Sequence, residues 1–141
     1  MTDAVGLAAS VVAFITVTAK LSKAAAAVHG SIKDAPSDVQ RVGTRLKGLE
    51  IILTQIDRTR SMNPEFTGDS VIESYWANNE AKLKSDFAEF EDFAAQLTAN
   101  AGKAMGRIKW FLSHEDRAKK ALGLLAEDIE VLRTLLQLME S

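Results

Sequence analysis

Cysteine is absent from the 141 residues, which excludes disulfides, thiolate metal sites and cysteine nucleophiles. Proline occurs only twice, so long stretches carry no residue that would break a helix. Aromatic residues are scarce, at 6%, and Trp76, Trp110 and Tyr75 are read as core or connector anchors rather than ligand stackers. No excess of positive charge exists: the net charge is −2, which gives no bulk reason to expect a nucleic-acid partner. A G-x-x-x-x-G-K-[ST] loop is missing, although "AGKAMGRIKW" contains two glycines and a lysine, so Walker-type ATP binding is not expected. The two histidines, His29 and His114, fall on different elements without neighbouring ligands, which is too few donors for zinc. No Glu-x-x-His pair is present, so a di-iron bundle is excluded. The names of a triad sit together in Ser113, His114 and Asp116, yet adjacency in sequence is not triad geometry, and a helix cap is the simpler role. Neither an enzyme nor a cofactor or metal site is expected.

What the chain does have is apolar residues at helical spacing. The composition is 47% hydrophobic and 26% charged, ordinary for a globular domain. A chain of this length fits one domain that buries roughly 70% of the surface exposed when unfolded. Leu7, Val11, Phe14, Leu21 and Val28 recur in steps of three and four, with Thr18 and Ala25 filling the gaps. Val39, Val42, Leu46, Leu49, Leu53 and Ile56 repeat the pattern. So do Leu83, Phe87, Phe90, Ala94 and Leu97, and again Leu122, Leu125, Ile129, Leu132, Leu136 and Met139. Residues three and four apart share a helix face, so each set is one apolar stripe. Four stripes predict an all-α antiparallel helical bundle of four main helices.

The punctuation supports those boundaries. Gly30 and Ser31 interrupt the first helix, and in "KDAPSD" Asp34 is the expected N-cap with Pro36 in the first turn of the second. "SMNPEFTGDS" (61–70) separates the second helix from the third, and the assignment of 71–79 is open. "ANAGKAMG" (99–106) ends the third. Ser113 and Asp116 form a capping-box-like start for the last helix, leaving "RIKWFL" (107–112) as a short extra helix or an extended connector.

The leading stretch "AVGLAASVVAFITVTAK" (4–20) carries no charge before Lys20. Met1-Thr2-Asp3 is acidic where a signal peptide needs a basic start. Residues 4–19 reach about 24 Å as a helix, short of the ~30 Å hydrocarbon core. Extending the span brings in Lys20 and then Lys23, each costing roughly 2.5–3.5 kcal/mol at the bilayer centre. A helix stored in the bundle is therefore the expected resting state. Its second face is small and uncharged, with Gly6, Ala9, Ser10 and Ala13 at spacings of three and four. A surface helix normally shows charges there. Either the helix is central and contacts neighbours on both sides, or it is packed at rest and exposed to membrane after a trigger, where small residues assist close helix association.

Basic residues crowd two regions, Lys20 to Lys47 and Lys103 to Lys120, while the segment between them is acidic, including Glu89, Glu91 and Asp92. Surface pairing between bundle helices is the plain account of that pattern; attraction to anionic lipid is the functional one.

The residues "AVGLAASVVAFITVTAKL" followed by "DAPSDVQRVGTRLKGLEIIL" resemble the opening of the N-terminal helical domains of fungal NLR-like (STAND) receptors. "RIKWFLSHEDRAKKALGLLAEDIEVLRTLLQL" is similar to the closing region of the same family. The resemblance implies an N-terminal helical signalling domain spanning 1–141, joined in a longer receptor to a nucleotide-binding module. It also implies relation to HeLo-like domains, which induce regulated cell death by membrane attack. Carried over, the membrane-active helix would contain Gly6, Leu7, Ala9, Ser10, Val11, Ala13 and Phe14, with Lys20 and Lys23 as basic residues facing lipid. The implied partners are a second copy or a related helical domain and, on activation, an anionic membrane. The implied location is cytoplasmic at rest and the plasma membrane when active. The alternative is a helical oligomerisation module that relays a signal without entering lipid.

Overall fold

In the computed structural model, which describes residues 3–31, 37–63, 65, 69–100 and 107–140, the chain forms four helices. They are α1 (Asp3–Ser31), α2 (Ser37–Met62), α3 (Ser70–Asn100) and α4 (Arg107–Glu140). Side chains at 3–5, 29–31, 37, 39, 100 and 107–114 lie outside that description. No strand occurs among the described residues. The all-α bundle expected from the four stripes is what forms.

Most stripe positions are buried, but Leu122 and Ile129 of α4 are only partly so. The buried face there runs through Ala118, Ala121, Leu125, Asp128 and Leu132. The side chain of Val39 lies outside the described residues. Leu7, Val11, Phe14, Leu21 and Val28 of α1 join Leu46, Leu49, Leu53 and Ile56 of α2 in one continuous core. From α3 and α4 come Leu83, Phe87, Phe90 and Leu97, with Leu125, Leu132, Leu136 and Met139. Each helix also buries residues outside the simplest stripe, among them Val17, Ile52, Trp76 and Leu135. An apolar face this wide is normal where a helix touches two neighbours rather than one.

Helices α1 and α4 sit at opposite corners, each packed against both α2 and α3. Successive helices run antiparallel, as expected. Because α2 connects to α3 across the diagonal, however, the side-by-side pair α1 and α3 runs parallel. Phe14 lies between Trp76 and Phe87 of α3, and Lys20 meets Glu91 further along both helices. Phe14 stacks on Phe87 with centroids 4.1 Å apart, and Phe87 meets Phe90 edge-on at 5.1 Å. This ring cluster anchors α1.

Two boundaries differ from expectation. Helix α4 starts at Arg107, so 107–112 is its first stretch rather than a separate element, and Ser113 lies inside the helix instead of capping it. "RIKWFL" runs directly into "SHEDRAKKAL", and no proline or glycine intervenes before Gly123 to break the helix. Residues 71–79 belong to α3. There the cap is Asp69, whose Oδ1 accepts hydrogen bonds from the Val71 and Ile72 amides at 2.9 and 3.1 Å. The expected cap Asp34 and the turn residue Pro36 fall outside the described residues.

Candidate functional site on the outward face of α1

Helix α1 turns two unlike faces to its surroundings. Leu7, Val11, Phe14, Val17, Leu21, Ala24, Ala25 and Val28 point inward. Ser10 is buried with them, as is Thr18, whose hydroxyl donates to the Phe14 carbonyl at 2.7 Å. That internal bond satisfies the hydroxyl without a partner from another helix. Ala9, Val12, Ala13, Thr16 and Ala19 face solvent, Val12 with 53% of its surface exposed. Gly6 is half-buried.

The seven residues of the expected membrane-active set therefore divide. Leu7, Ser10, Val11 and Phe14 hold the helix in the bundle, while Ala9 and Ala13 lie on its surface. Helix α1 packs chiefly on α2 and α3, so it has a neighbour on each side, as each of the other three helices does. Of the expected small face only Ala9 and Ala13 are at the surface, Ser10 being buried and Gly6 half-buried. The uncharged outward face is completed by Val12, Thr16 and Ala19, where helices of a soluble bundle carry charge. Packing against other helices of this chain does not account for it.

Among the described residues one helix segment is long and apolar enough to cross a membrane, Gly6–Val28, and it spans 23 residues. At 1.5 Å each that is about 34 Å, sufficient for the hydrocarbon core. The span reaches this length only by including Lys20 and Lys23. Core helices of soluble proteins satisfy the same criterion, and 44% of the segment's most apolar window is buried in the bundle. Lys20 and Lys23 are both exposed. Lys20 reaches Glu91 of α3 at 3.4 Å, with both side chains more than half exposed. Such a pair contributes at most about 1 kcal/mol and does not hold α1 in place. Beyond it, Lys20, Lys23, Ala24, Ala27, Glu91, Ala94 and Ala95 border an open, alanine-lined trough of about 640 Å³ between α1 and α3.

Among the described residues the acidic and basic blocks meet across helix seams at a few points, Lys20 with Glu91 and Glu89 with two cations of α4. Glu89 pairs with Arg117 at 2.9 Å and approaches Lys120 at 3.9 Å. The hydrogen bond from Arg117 holds the Glu89 carboxyl below the usual carboxylate range. Glu89, Glu91 and Asp92 thus do not act as a unit, and no group of three or more metal-ligating side chains assembles among the described residues.

A second cluster was not anticipated. Lys82 of α3 lies 2.6 Å from Asp86 Oδ2, 2.8 Å from Glu127 Oε1 and 3.4 Å from Asp128 Oδ1. Asp128 is completely buried and Asp86 nearly so. Burial, then the hydrogen bond and charge of Asp86, push the Asp128 carboxyl up to about 8, against the opposing pull of Lys82. Burial opposes the charged form of Lys82, but its hydrogen bonds to Asp86 and Glu127 prevail and raise its pKa. The signal was present in the sequence. Asp86 stands three residues after Leu83 and four before Phe90, and Asp128 stands three after Leu125 and four before Leu132. Both are charged residues in apolar stripes, which marks a buried charge that must find a partner. The side chains of His29, Ser113 and His114 lie outside the described residues.

Comparison with protein-family models, curated proteins and solved structures finds no match for this chain.

Proposed function

We propose that this chain is a signalling and effector domain of the HeLo-like kind at the N-terminus of an NLR-like receptor. In this scheme, oligomerisation releases α1 to permeabilise an anionic membrane in regulated cell death. The supporting observation is the outward face of α1, where Ala9, Val12, Ala13, Thr16 and Ala19 expose an uncharged surface on a corner helix. The resemblance of both ends of the chain to fungal receptor domains supplies the receptor context.

Energetics explain why the helix stays home at rest. Leu7, Val11, Phe14, Val17, Leu21 and Val28 are buried, each contributing roughly 1.5–3 kcal/mol. Together they are worth on the order of 10–20 kcal/mol, similar to the whole stability of a domain. Helix α1 therefore does not leave into water. A bilayer gives the same side chains an apolar environment again and covers the outward face as well. Lys20 and Lys23 would sit towards one end of the span and reach the headgroups by their flexible stems. Release thus depends on a surface that replaces the lost burial, and oligomerisation beside a membrane supplies one.

Ala9 and Ala13 make a clean test because both are exposed, so charge placed there costs the fold little. The purified domain, forced to oligomerise, should release dye from anionic liposomes. A9D and A13D should each lower the leakage by an order of magnitude while circular dichroism and thermal midpoint stay unchanged. Equal leakage from the variants would overturn the membrane role. The same face also suits a second reading, contact with a neighbouring helical domain. In that case A9D and A13D would abolish self-association in solution, and the intact protein would leave liposomes sealed.

A further inference from the structure

The seam between α3 and α4 is unlike the other three. It is the thinnest of the four main helix–helix contacts, and polar groups recur along it. Tyr75, Lys82 and Glu89 stand seven residues apart on α3, two turns each, and so share one face. All three reach α4: the Tyr75 hydroxyl donates to the Val131 carbonyl at 3.2 Å, Lys82 meets Glu127 and Asp128, and Glu89 meets Arg117. Only the middle tie is built on a fully buried acid.

Its charge count is uneven. Asp86, Glu127 and Asp128 bring three carboxyls to a single ammonium, Lys82, which itself stays half-exposed. Glu127 is mostly exposed. That leaves two buried carboxyls for one cation. Asp128 Oδ1 faces Lys82, whereas its Oδ2 is buried without an ordinary hydrogen-bond partner. A buried oxygen of this kind is costly as an anion. Protonated, it becomes a donor, and the Asp86 carboxyl beside it is the available acceptor. The charged groups that act most on Asp128 are Asp86 and Lys82, both of α3, with Glu127 beside it on its own helix.

We infer that a proton on Asp128, donated to the carboxylate of Asp86 beside Lys82, clasps α3 to α4 and makes this seam a pH-sensitive hinge of the bundle. The inference does not depend on the membrane role of α1. Its sign is fixed by linkage. A carboxyl that titrates near 8 when the seam is closed and near ~4 when it is open binds its proton more tightly in the closed form. The contribution is therefore complete below about pH 4 and is lost progressively as pH rises to about 8. Within that window the opening constant rises by up to about tenfold per pH unit, and above it the effect levels off. Acidification tightens the seam, and alkalinisation loosens it.

The experiment combines carboxyl NMR of the labelled protein with amide hydrogen exchange, corrected for intrinsic rates, from pH 5 to 8. The Asp128 carboxyl should titrate with a midpoint several units above that of an exposed aspartate. Amides at 83–90 and 125–132 should lose protection by up to about tenfold per pH unit, with smaller changes in α1 and α2. D128N retains a neutral donor of the same shape, so it should fold and show a flat profile at those amides. A K82M variant should move the Asp128 midpoint higher still. A midpoint in the ordinary carboxylate range, an equal slope in D128N, or a loss of protection spread evenly over four helices would each overturn the inference.

Discussion

Phe14 is the largest buried side chain of α1 among the described residues. It stacks on Phe87 at 4.1 Å and lies 6.3 Å from Trp76, so its ring ties α1 to two separate levels of α3. Truncation leaves a cavity beside rings that cannot collapse into it. F14A should cost about 3–5 kcal/mol in urea denaturation. A polar change at exposed Val12, two residues earlier, should stay within about 0.5 kcal/mol. The burial of Phe14 was legible in advance, because its spacing from Val11 and Leu21 puts it on the stripe. Its contact with Phe87 was not, since periodicity places a residue on a face without naming what lies opposite. Asp86 and Asp128 show the opposite failure: their spacing is that of core residues, yet their charge suggests a solvated face. Where type and position conflict, only the surroundings decide.

At the scale of the element, each helix was recognisable and some of its ends were not. The start of α3 is set by Asp69, a cap in a run where proline, glycine and serine made the break visible but not its last residue. For α4, a capping box at Ser113 lost to uninterrupted helix from Arg107. A box supplies about 1 kcal/mol, and a continuous backbone ladder leaves no terminus there to cap. Two helical glycines offer a direct measure of local propensity. At Gly48 of α2 and Gly123 of α4 an added Cβ would meet nothing within 4 Å. G48A and G123A should each stabilise the bundle by about 0.5–1 kcal/mol, raising the denaturation midpoint with an unchanged slope.

The whole molecule places its least ordinary helix at a corner. Like each of the four helices, α1 packs mainly on two neighbours, which leaves it one covered face and one bare face. The others carry charge on theirs, and α1 carries none from Ala4 to Ala19. A central helix would have to break the entire core to leave, whereas a corner helix leaves α2, α3 and α4 still connected through the α2–α4 and α3–α4 seams. The absence of cysteine allows a direct test of whether the departure of α1 matters. A cysteine pair bridging the parallel α1 and α3, oxidised, should suppress liposome leakage by the oligomerised domain. Reduction should restore it to the level of the unmodified chain. Leakage that persists with the bridge closed would show that α1 acts, if at all, without leaving the bundle.

By itself the sequence determined the number of helices, their apolar stripes and the uncharged character of the leading one, because spacing and side-chain chemistry are local properties. Tertiary structure alone decided that α1 and α3 lie side by side and parallel, that Ala9 and Ala13 of α1 point outward while Ser10 is buried, and that two aspartates meet over one lysine inside the α3/α4 seam. Each of those outcomes depends on which helix lies beside which. A diagonal connection from α2 to α3 sets that order, and no periodicity within a single helix encodes it.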